Sequence, residues 1–237
     1  MTFNIHHGKG TDKKADLGRI AEVIAFCNAD IIGLNEVDRY FSKRSLLEDQ
    51  AAWLANELGM DYAFCPSVRK KPKHLPKTRL FGNALLSKFP IISKKPHSFQ
   101  IPVMTEGRSL LEAGVQIDQL SLKILVTHLS LNPILHRRQT NFIISRYQND
   151  SHPAILMGDW NMKPGSKGWR KITKKFQDVW EAAGKGAGFT YPSNRPRSRL
   201  DYIFASHDLE IIHAKAVNKM PEASDHLPVV ATLYYRA

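Results

Sequence analysis

The chain has 237 residues, 43% of them hydrophobic and 24% charged, a balance that supports a sizeable core and excludes disorder as a description of the whole. Its formal net charge of +12 points to anionic partners (nucleic acid, a membrane surface or phosphorylated small molecules) without choosing among them. No basic-then-apolar leader opens the sequence and no run of roughly eighteen apolar residues follows, so neither an export signal nor a spanning helix is expected. The expected location is the cytoplasm, although a strand pattern starting at residue 1 leaves room for a removed upstream segment.

After a first strand ending near Asn4, Asp16 to Asn28 places Leu17, Ile20, Ala21, Ile24 and Ala25 on one helical face. Asp30 to Leu34 reads as a buried strand. Leu46 to Leu58 reads as a second amphipathic helix, stopped by Gly59. Arg69 to Lys77 carries Pro72, Pro76 and a run of Lys and Arg, and reads as an exposed loop. Ala84 to Ser87, Leu110 to Ile117 and Leu122 to Thr127 are expected strands. Pro133 to Tyr147 fits a helix with proline in its first turn. Ala154 to Met157 is a short apolar strand, and Arg199 to Ala205, Leu209 to Val217 and Leu227 to Tyr235 are closing strands. Pro192 to Ser198 is a second expected loop. Cys27 and Cys65 sit in apolar stretches and read as small core residues rather than a disulfide. The short connections late in the chain suggest antiparallel pairing, and the whole suggests sheet packed on sheet with helices outside.

Polar residues recur where these strands end. Asn4 follows the first, Glu36 ends Ile31-Ile32-Gly33-Leu34-Asn35-Glu36, and His128 ends Ile124-Leu125-Val126-Thr127-His128. Asp159 and Asn161 follow Ile155-Leu156-Met157-Gly158, Asp201 lies in Leu200-Asp201-Tyr202-Ile203, and Asp225-His226 precedes the last strand. Each has a plain alternative: an exposed strand end for Glu36, an Asx turn for Asp159 and Asn161, a satisfied core histidine for His128. Their common placement argues instead for convergence on one cleft. Carboxylates, amides and histidines without cysteine pairs favour a hard cation such as Mg²⁺ or Mn²⁺.

The segments Thr2-Phe3-Asn4-Ile5-His6-His7-Gly8, Gly33-Leu34-Asn35-Glu36-Val37-Asp38, Thr127-His128-Leu129, Gly158-Asp159-Trp160-Asn161, Leu200-Asp201-Tyr202-Ile203 and Ser224-Asp225-His226-Leu227-Pro228 resemble, in order, the motifs of the endonuclease/exonuclease/phosphatase superfamily. Asn35 is a departure, since that superfamily usually has glutamine there. The resemblance implies an α/β four-layer sandwich, two packed mixed β-sheets flanked by helices, in a single catalytic domain over residues 1–237. It implies Mg²⁺ or Mn²⁺ held by Glu36 with Asn4, and Asp225 beside it or at a second metal position. It implies that His226, oriented by Asp201, contacts the scissile phosphate, that Asp159 positions or deprotonates the attacking water, that Asn161 holds that water or a phosphate oxygen, and that His128 is a second phosphate contact. Arg108 and Asn83 match further segments and are candidate substrate-binding residues.

The implied activity is metal-dependent phosphoester hydrolysis. A divalent cation neutralises phosphoryl charge, and a carboxylate-held imidazole can donate to a phosphate oxygen. The candidate selecting loops, Lys9 to Lys14, Arg39 to Arg44, Arg69 to Arg79 and Gly186 to Arg199, all carry basic residues, which suits DNA or RNA first and leaves an anionic lipid headgroup or a small phosphoester open. Phe189 and Tyr191 could stack on a base or pack under a loop. A non-catalytic polyanion-binding module would be expected to lose Glu36, Asp159 or His226. No Gly-rich phosphate loop is present. A monomer is expected.

Overall fold

The structure is a computed structural model describing residues 1–71, 77–99, 107–147 and 152–235. In chain order its strands are β1 (Thr2–Asn4), β2 (Ile31–Arg39), β3 (Asp61–Lys70), β4 (Arg79–Ser87), β5 (Ile91–Ser98), β6 (Ser109–Ile117), β7 (Leu120–His128), β8 (Ala154–Asp159), β9 (Gln177–Asp178), β10 (Asp201–Ala205), β11 (Leu209–Ala216) and β12 (Val229–Tyr235). The helices are α1 (Leu17–Cys27), α2 (Gln50–Leu58), α3 (Pro133–Tyr147), α4 (Lys167–Ile172) and α5 (Val179–Ala183).

The strands form two six-stranded mixed sheets, ordered β11-β12-β1-β2-β4-β3 and β5-β6-β7-β8-β10-β9. Cys65, Leu85 and Val229 of the first sheet meet Leu111, Ile124, Val126, Met157 and Ile203 of the second in a shared core. Ile20 and Ile24 of α1 and Leu54 of α2 cover the first sheet's other face, over Phe3, Ile32 and Leu34. Ile143 of α3 and Ile172 of α4 cover the second sheet, against Leu125, Leu156 and Trp160. The result is the expected four-layer α/β sandwich. Each fully buried Leu or Ile contributes roughly 1.5–3 kcal/mol, so this apolar middle holds the sheets together and leaves one rim free to carry polar residues.

Asp16 caps α1 by accepting from Arg19 N, and Asp49 caps α2 by accepting from Ala52 N. That cap makes α2 shorter than its apolar pattern implies. Leu46 and Leu47 take positive φ of 54° and 57°, outside the right-handed helical region, and both are exposed. β3 and β5 were not marked by periodicity. Arg69 and Lys70 extend β3 rather than opening a loop, and remain exposed, as does Lys71; residues 72–76 lie outside the described residues. Cys65 is buried, Cys27 half-buried, and both are free thiols. No helix among the described residues is long and apolar enough to cross a membrane.

Candidate active site

Strand register assembles the site. His128 stands opposite Asp159 in the parallel β7–β8 pair, and Asp201 stands opposite Asp159 in the antiparallel β8–β10 pair. Directly opposed residues share a face, so His128, Asp159 and Asp201 form one row across three strands. Gly158 makes the row possible. Its φ is +142°, and a Cβ there would come within 1.8 Å of Thr127 O, so only glycine fits.

The first sheet supplies the opposing rim. Asn4 pairs with Asn35 in the parallel β1–β2 register. β2 is irregular against β4 between Leu34 and Val37, and Glu36 sits in that bulge at φ 59°. Bulges re-aim side chains; here Asn35 is buried while Glu36 is half-buried in the cleft. Asn4 Nδ2 donates across the gap to Asp159 Oδ2 at 3.1 Å and to Glu36 Oε1 at 3.2 Å. Asn35 fastens the two rims from below. Its Oδ1 accepts from Asp159 N at 2.8 Å, and its Nδ2 donates to Thr127 O at 2.9 Å and Asn83 Oδ1 at 2.8 Å.

The segment before β12 closes the site. Ser224 Oγ donates to Asn4 O at 2.7 Å. His226 Nδ1 donates to Asp201 Oδ2 at 2.7 Å, and its Nε2 lies 3.7 Å from Asp159 Oδ2. His128 Nε2 lies 3.4 Å from the same Asp159 oxygen and 3.1 Å from Asn161 Nδ2. Asn161, at φ 46°, is held by the Asx turn in which its N–H donates to Asp159 Oδ1 at 3.0 Å. The turn and the cluster are therefore one structure, not alternatives.

The structure thus brings Asn4, Glu36, His128, Asp159, Asn161, Asp201 and His226 together. Arg108 is buried behind them, with Nη1 3.5 Å from His128 Nδ1. Asn83 lies beneath, donating through Nδ2 to Ser109 O at 3.0 Å and Oγ at 3.1 Å. Asp225 stands at the edge, 3.7 Å from His6 Nδ1. Tyr191 packs its ring 4.8 Å from that of His226 and stays partly exposed, like Phe189.

Electrostatics divides the imidazoles. Burial works against charge on His226, but the Asp201 anion and its hydrogen bond, with Asp159 beyond, push its pKa up to about 10. His128 is driven the other way, well below the usual range, by burial and then by the Arg108 and His226 cations. Burial raises Asp159 to about 7 against the pull of His226, with Asp201 adding to the rise. The result is a cationic imidazole, a neutral imidazole and a carboxylate near its midpoint around one oxygen.

Among the described residues no Lys or Arg pairs with Glu36, Asp159, Asp201 or Asp225; their charged-pair partners are histidines. A cleft whose acids have no Lys or Arg partner among the described residues, with the carboxylates of Glu36 and Asp225 partly exposed at its edge, fits a hard divalent cation.

Sequence reading missed three features. Asn35 emerges as the joint between the rims; its place just before Glu36 was the available signal. Ser224 ties the last segment to β1; its place at the head of Ser224-Asp225-His226 was the available signal. The third is a groove of about 1050 Å³ between α3 and α4, lined by Arg137, Arg138, Lys167, Arg170, Lys171 and Lys174 and reaching Asn161. Its charges come from α3, from α4 and from Lys174 just beyond α4, segments separated in sequence.

The family model described as Endonuclease/Exonuclease/phosphatase family matches residues 1–226. Among solved structures, an endonuclease/exonuclease/phosphatase from Beutenbergia cavernae superposes with a TM-score of 0.80 at 24% identity, covering 99% of this chain and 70% of that one. A mannosyl-6-phosphatase from Bacteroides thetaiotaomicron gives 0.77 at 18% identity, covering 99% and 98%. The human Nocturnin catalytic domain with bound sulfate gives 0.70 at 18%, covering 99% and 93%. At these identities the likeness concerns the fold. No curated protein matches the chain by sequence. The match along nearly the whole length, on a four-layer sandwich, shows that the chain belongs to the Endonuclease/Exonuclease/phosphatase family of metal-dependent phosphoesterases.

Proposed function

We propose that residues 1–237 form one catalytic domain, a divalent-metal-dependent phosphodiesterase that hydrolyses nucleic acid. The observation that carries the chemistry is the convergence on Asp159 Oδ2. Asn4 Nδ2 lies 3.1 Å away, His128 Nε2 3.4 Å and His226 Nε2 3.7 Å. Asn4 comes from the opposite sheet, and all four residues are buried.

Asp159, with its pKa raised to about 7, is suited to take a proton from water near neutrality. Asn161, turned back by Asp159 Oδ1, orients that water or a phosphoryl oxygen. His226 presents an imidazolium N–H to the phosphate, and Asp201 positions it through the 2.7 Å bond. Neutral His128, with Arg108 behind it, supplies a second contact to the phosphoryl group. Asn83 acts through Asn35 and is a positioning residue. Glu36 would hold Mg²⁺ or Mn²⁺, with Asn4 Nδ2 fixing its carboxylate at 3.2 Å and Asp225 beside the metal. The cation, when bound, neutralises phosphoryl charge and stabilises the leaving oxygen.

The groove between α3 and α4 favours an extended polyanion. Arg137, Arg138, Lys167, Arg170, Lys171 and Lys174 are all exposed, and the groove meets the site at Asn161. A nucleic-acid strand crossing the site would place flanking phosphates along it. A panel of single- and double-stranded DNA, RNA, a lipid phosphodiester, a generic phosphodiester and a phosphomonoester, each with Mg²⁺ or Mn²⁺, tests the reading. Preference for the polynucleotides supports it. Preference for a small or lipid phosphoester would reassign the substrate, and inactivity on all of them would reject the enzyme reading.

A further inference from the structure

β1 runs into a short turn, His6–Gly8, in which His6 and His7 both take positive φ, 46° and 47°. The turn is anchored by Gln50 of α2, whose Nε2 donates to His7 O at 2.8 Å while its Oε1 accepts from Asp38 N at 2.9 Å. The two imidazoles stand edge to face with centroids 4.4 Å apart. No role proposed above uses either ring.

His7 is only 7% exposed. Its Nδ1 is buried with no hydrogen-bond partner, and this atom faces Glu36 Oε2 at 4.0 Å. Such an unpaired buried nitrogen calls for a partner. His6 is fixed differently. Its Nδ1 lies 3.2 Å from Lys9 O and 3.7 Å from Asp225 Oδ1. A carbonyl oxygen only accepts, so Nδ1 carries the proton and Nε2 keeps its lone pair. One imidazole nitrogen bonded to a backbone carbonyl, with the other left bare, is the usual arrangement of a metal-ligating histidine.

One ligand atom from each of His6, His7 and Glu36 lies within 4.8 Å of the others. Nitrogen and carboxylate oxygen ligands sit ~2.0–2.2 Å from a divalent cation and so at most ~4.4 Å apart. The cluster needs a contraction of a few tenths of an ångström to close on an ion.

We propose that His6, His7 and Glu36 hold a divalent cation through two imidazole nitrogens and a carboxylate oxygen, which makes this metal position select Mn²⁺ over Mg²⁺. Imidazole nitrogen is a better ligand for first-row transition cations, Mn²⁺ being the weakest binder of that series, than for Mg²⁺, which keeps to oxygen ligands and water. Asp225 then acts from behind, on the Nδ1 side of His6. The inference rests on the preceding reading only through Glu36, the residue the two share.

Full-length, metal-stripped protein is titrated calorimetrically with MnCl₂ and, separately, with MgCl₂. The Mn²⁺-loaded protein is then measured by electron spin-echo envelope modulation, which detects directly bound nitrogen-14. The expected result is tighter binding of Mn²⁺ than of Mg²⁺, with coupling from two imidazoles. In His7→Ala one coupling disappears, and Mn²⁺ affinity falls ~10–100-fold while Mg²⁺ affinity changes much less. Should that variant not fold, the wild-type nitrogen signal alone decides. Coupling to fewer than two imidazoles, no Mn²⁺ binding, or equal loss of both metals in a folded variant would overturn the site. Absent hydrolysis with the two-nitrogen signal intact would instead reject the proposed function and leave this cation site standing.

Discussion

Asp201→Asn keeps the shape of the side chain beside His226 and removes its charge. Both residues are buried, and the bond between them is 2.7 Å. Burial by itself drives the imidazole neutral, and the neighbouring carboxylates, Asp201 foremost, carry it instead to about 10. A pKa unit corresponds to about 1.4 kcal/mol, so the carboxylates outweigh burial by several kcal/mol. In the variant the imidazolium loses its main support, its titration moves down by several units, and the amide no longer enforces a proton on Nδ1. Hydrolysis at neutral pH is expected to fall ~10²–10³-fold, the usual scale for losing one hydrogen-bond donor to transition-state charge. Nitrogen-15 spectra of the histidine rings across pH, taken on metal-free protein, follow the titration, and initial rates on a phosphodiester follow the consequence. Stability gives a second readout. A pKa raised in the folded state stabilises fully below the unfolded value and ceases to as pH rises through the folded one. The wild type's advantage over the variant in urea unfolding should therefore be complete below about 6.5 and fade toward about 10. Wild-type His226 titrating near 6.5, or a variant with an unchanged rate, would refute this account of the pair.

Other expectations follow from the same geometry. Glu36→Ala should abolish divalent-metal-dependent hydrolysis and weaken Mg²⁺ binding by calorimetry, while thermal unfolding shifts little because Glu36 is half-buried in the cleft and outside the apolar core; retained metal-dependent turnover would remove it from the centre. Replacing Arg137, Arg138, Arg170 and Lys174 together by alanine should weaken binding of a DNA or RNA oligonucleotide and flatten the slope of log affinity against log salt by roughly 0.7–0.9 for each phosphate no longer neutralised. An unchanged slope would make the groove ordinary solvated surface. Gly158→Ala should cost at least ~2 kcal/mol in urea unfolding, since its Cβ would meet Thr127 O at 1.8 Å; a neutral effect would show that the strand ends can separate.

The sheet layout was partly legible because buried strands such as Ile31–Leu34 and Ala154–Met157 are continuous apolar runs. β3 escaped notice because the side chains it buries are small, Ala63, Cys65 and Ser67, and Pro66 interrupts the pattern. β5 is an edge strand whose Lys94, Lys95 and Pro96 face solvent, so alternation is absent. The start of α2 was masked by Leu46 and Leu47, apolar residues that face solvent. At the site, strand-terminal position picked out His128, Asp159 and Asp201, whereas Glu36, read as a strand end, lies in a bulge within β2, which continues to Arg39. Strand position could not show that Asn4 reaches Asp159 across the sheets, or that Asn83 spends its amide on Asn35 and Ser109, because those facts depend on how two sheets register. The groove was illegible for the same reason: α3 and α4 meet only in the folded chain.

The most direct measurement is cleavage of end-labelled single-stranded and duplex oligonucleotides by chelator-treated protein, with and without added Mg²⁺ or Mn²⁺, comparing wild type with Asp159→Asn. The account predicts cleavage by the wild type that stops on chelation and returns with metal. It also predicts that the variant is slower by ~10²-fold or more, with its thermal unfolding largely unchanged. Cleavage that persists without metal, or that the variant performs as fast as the wild type, would contradict it.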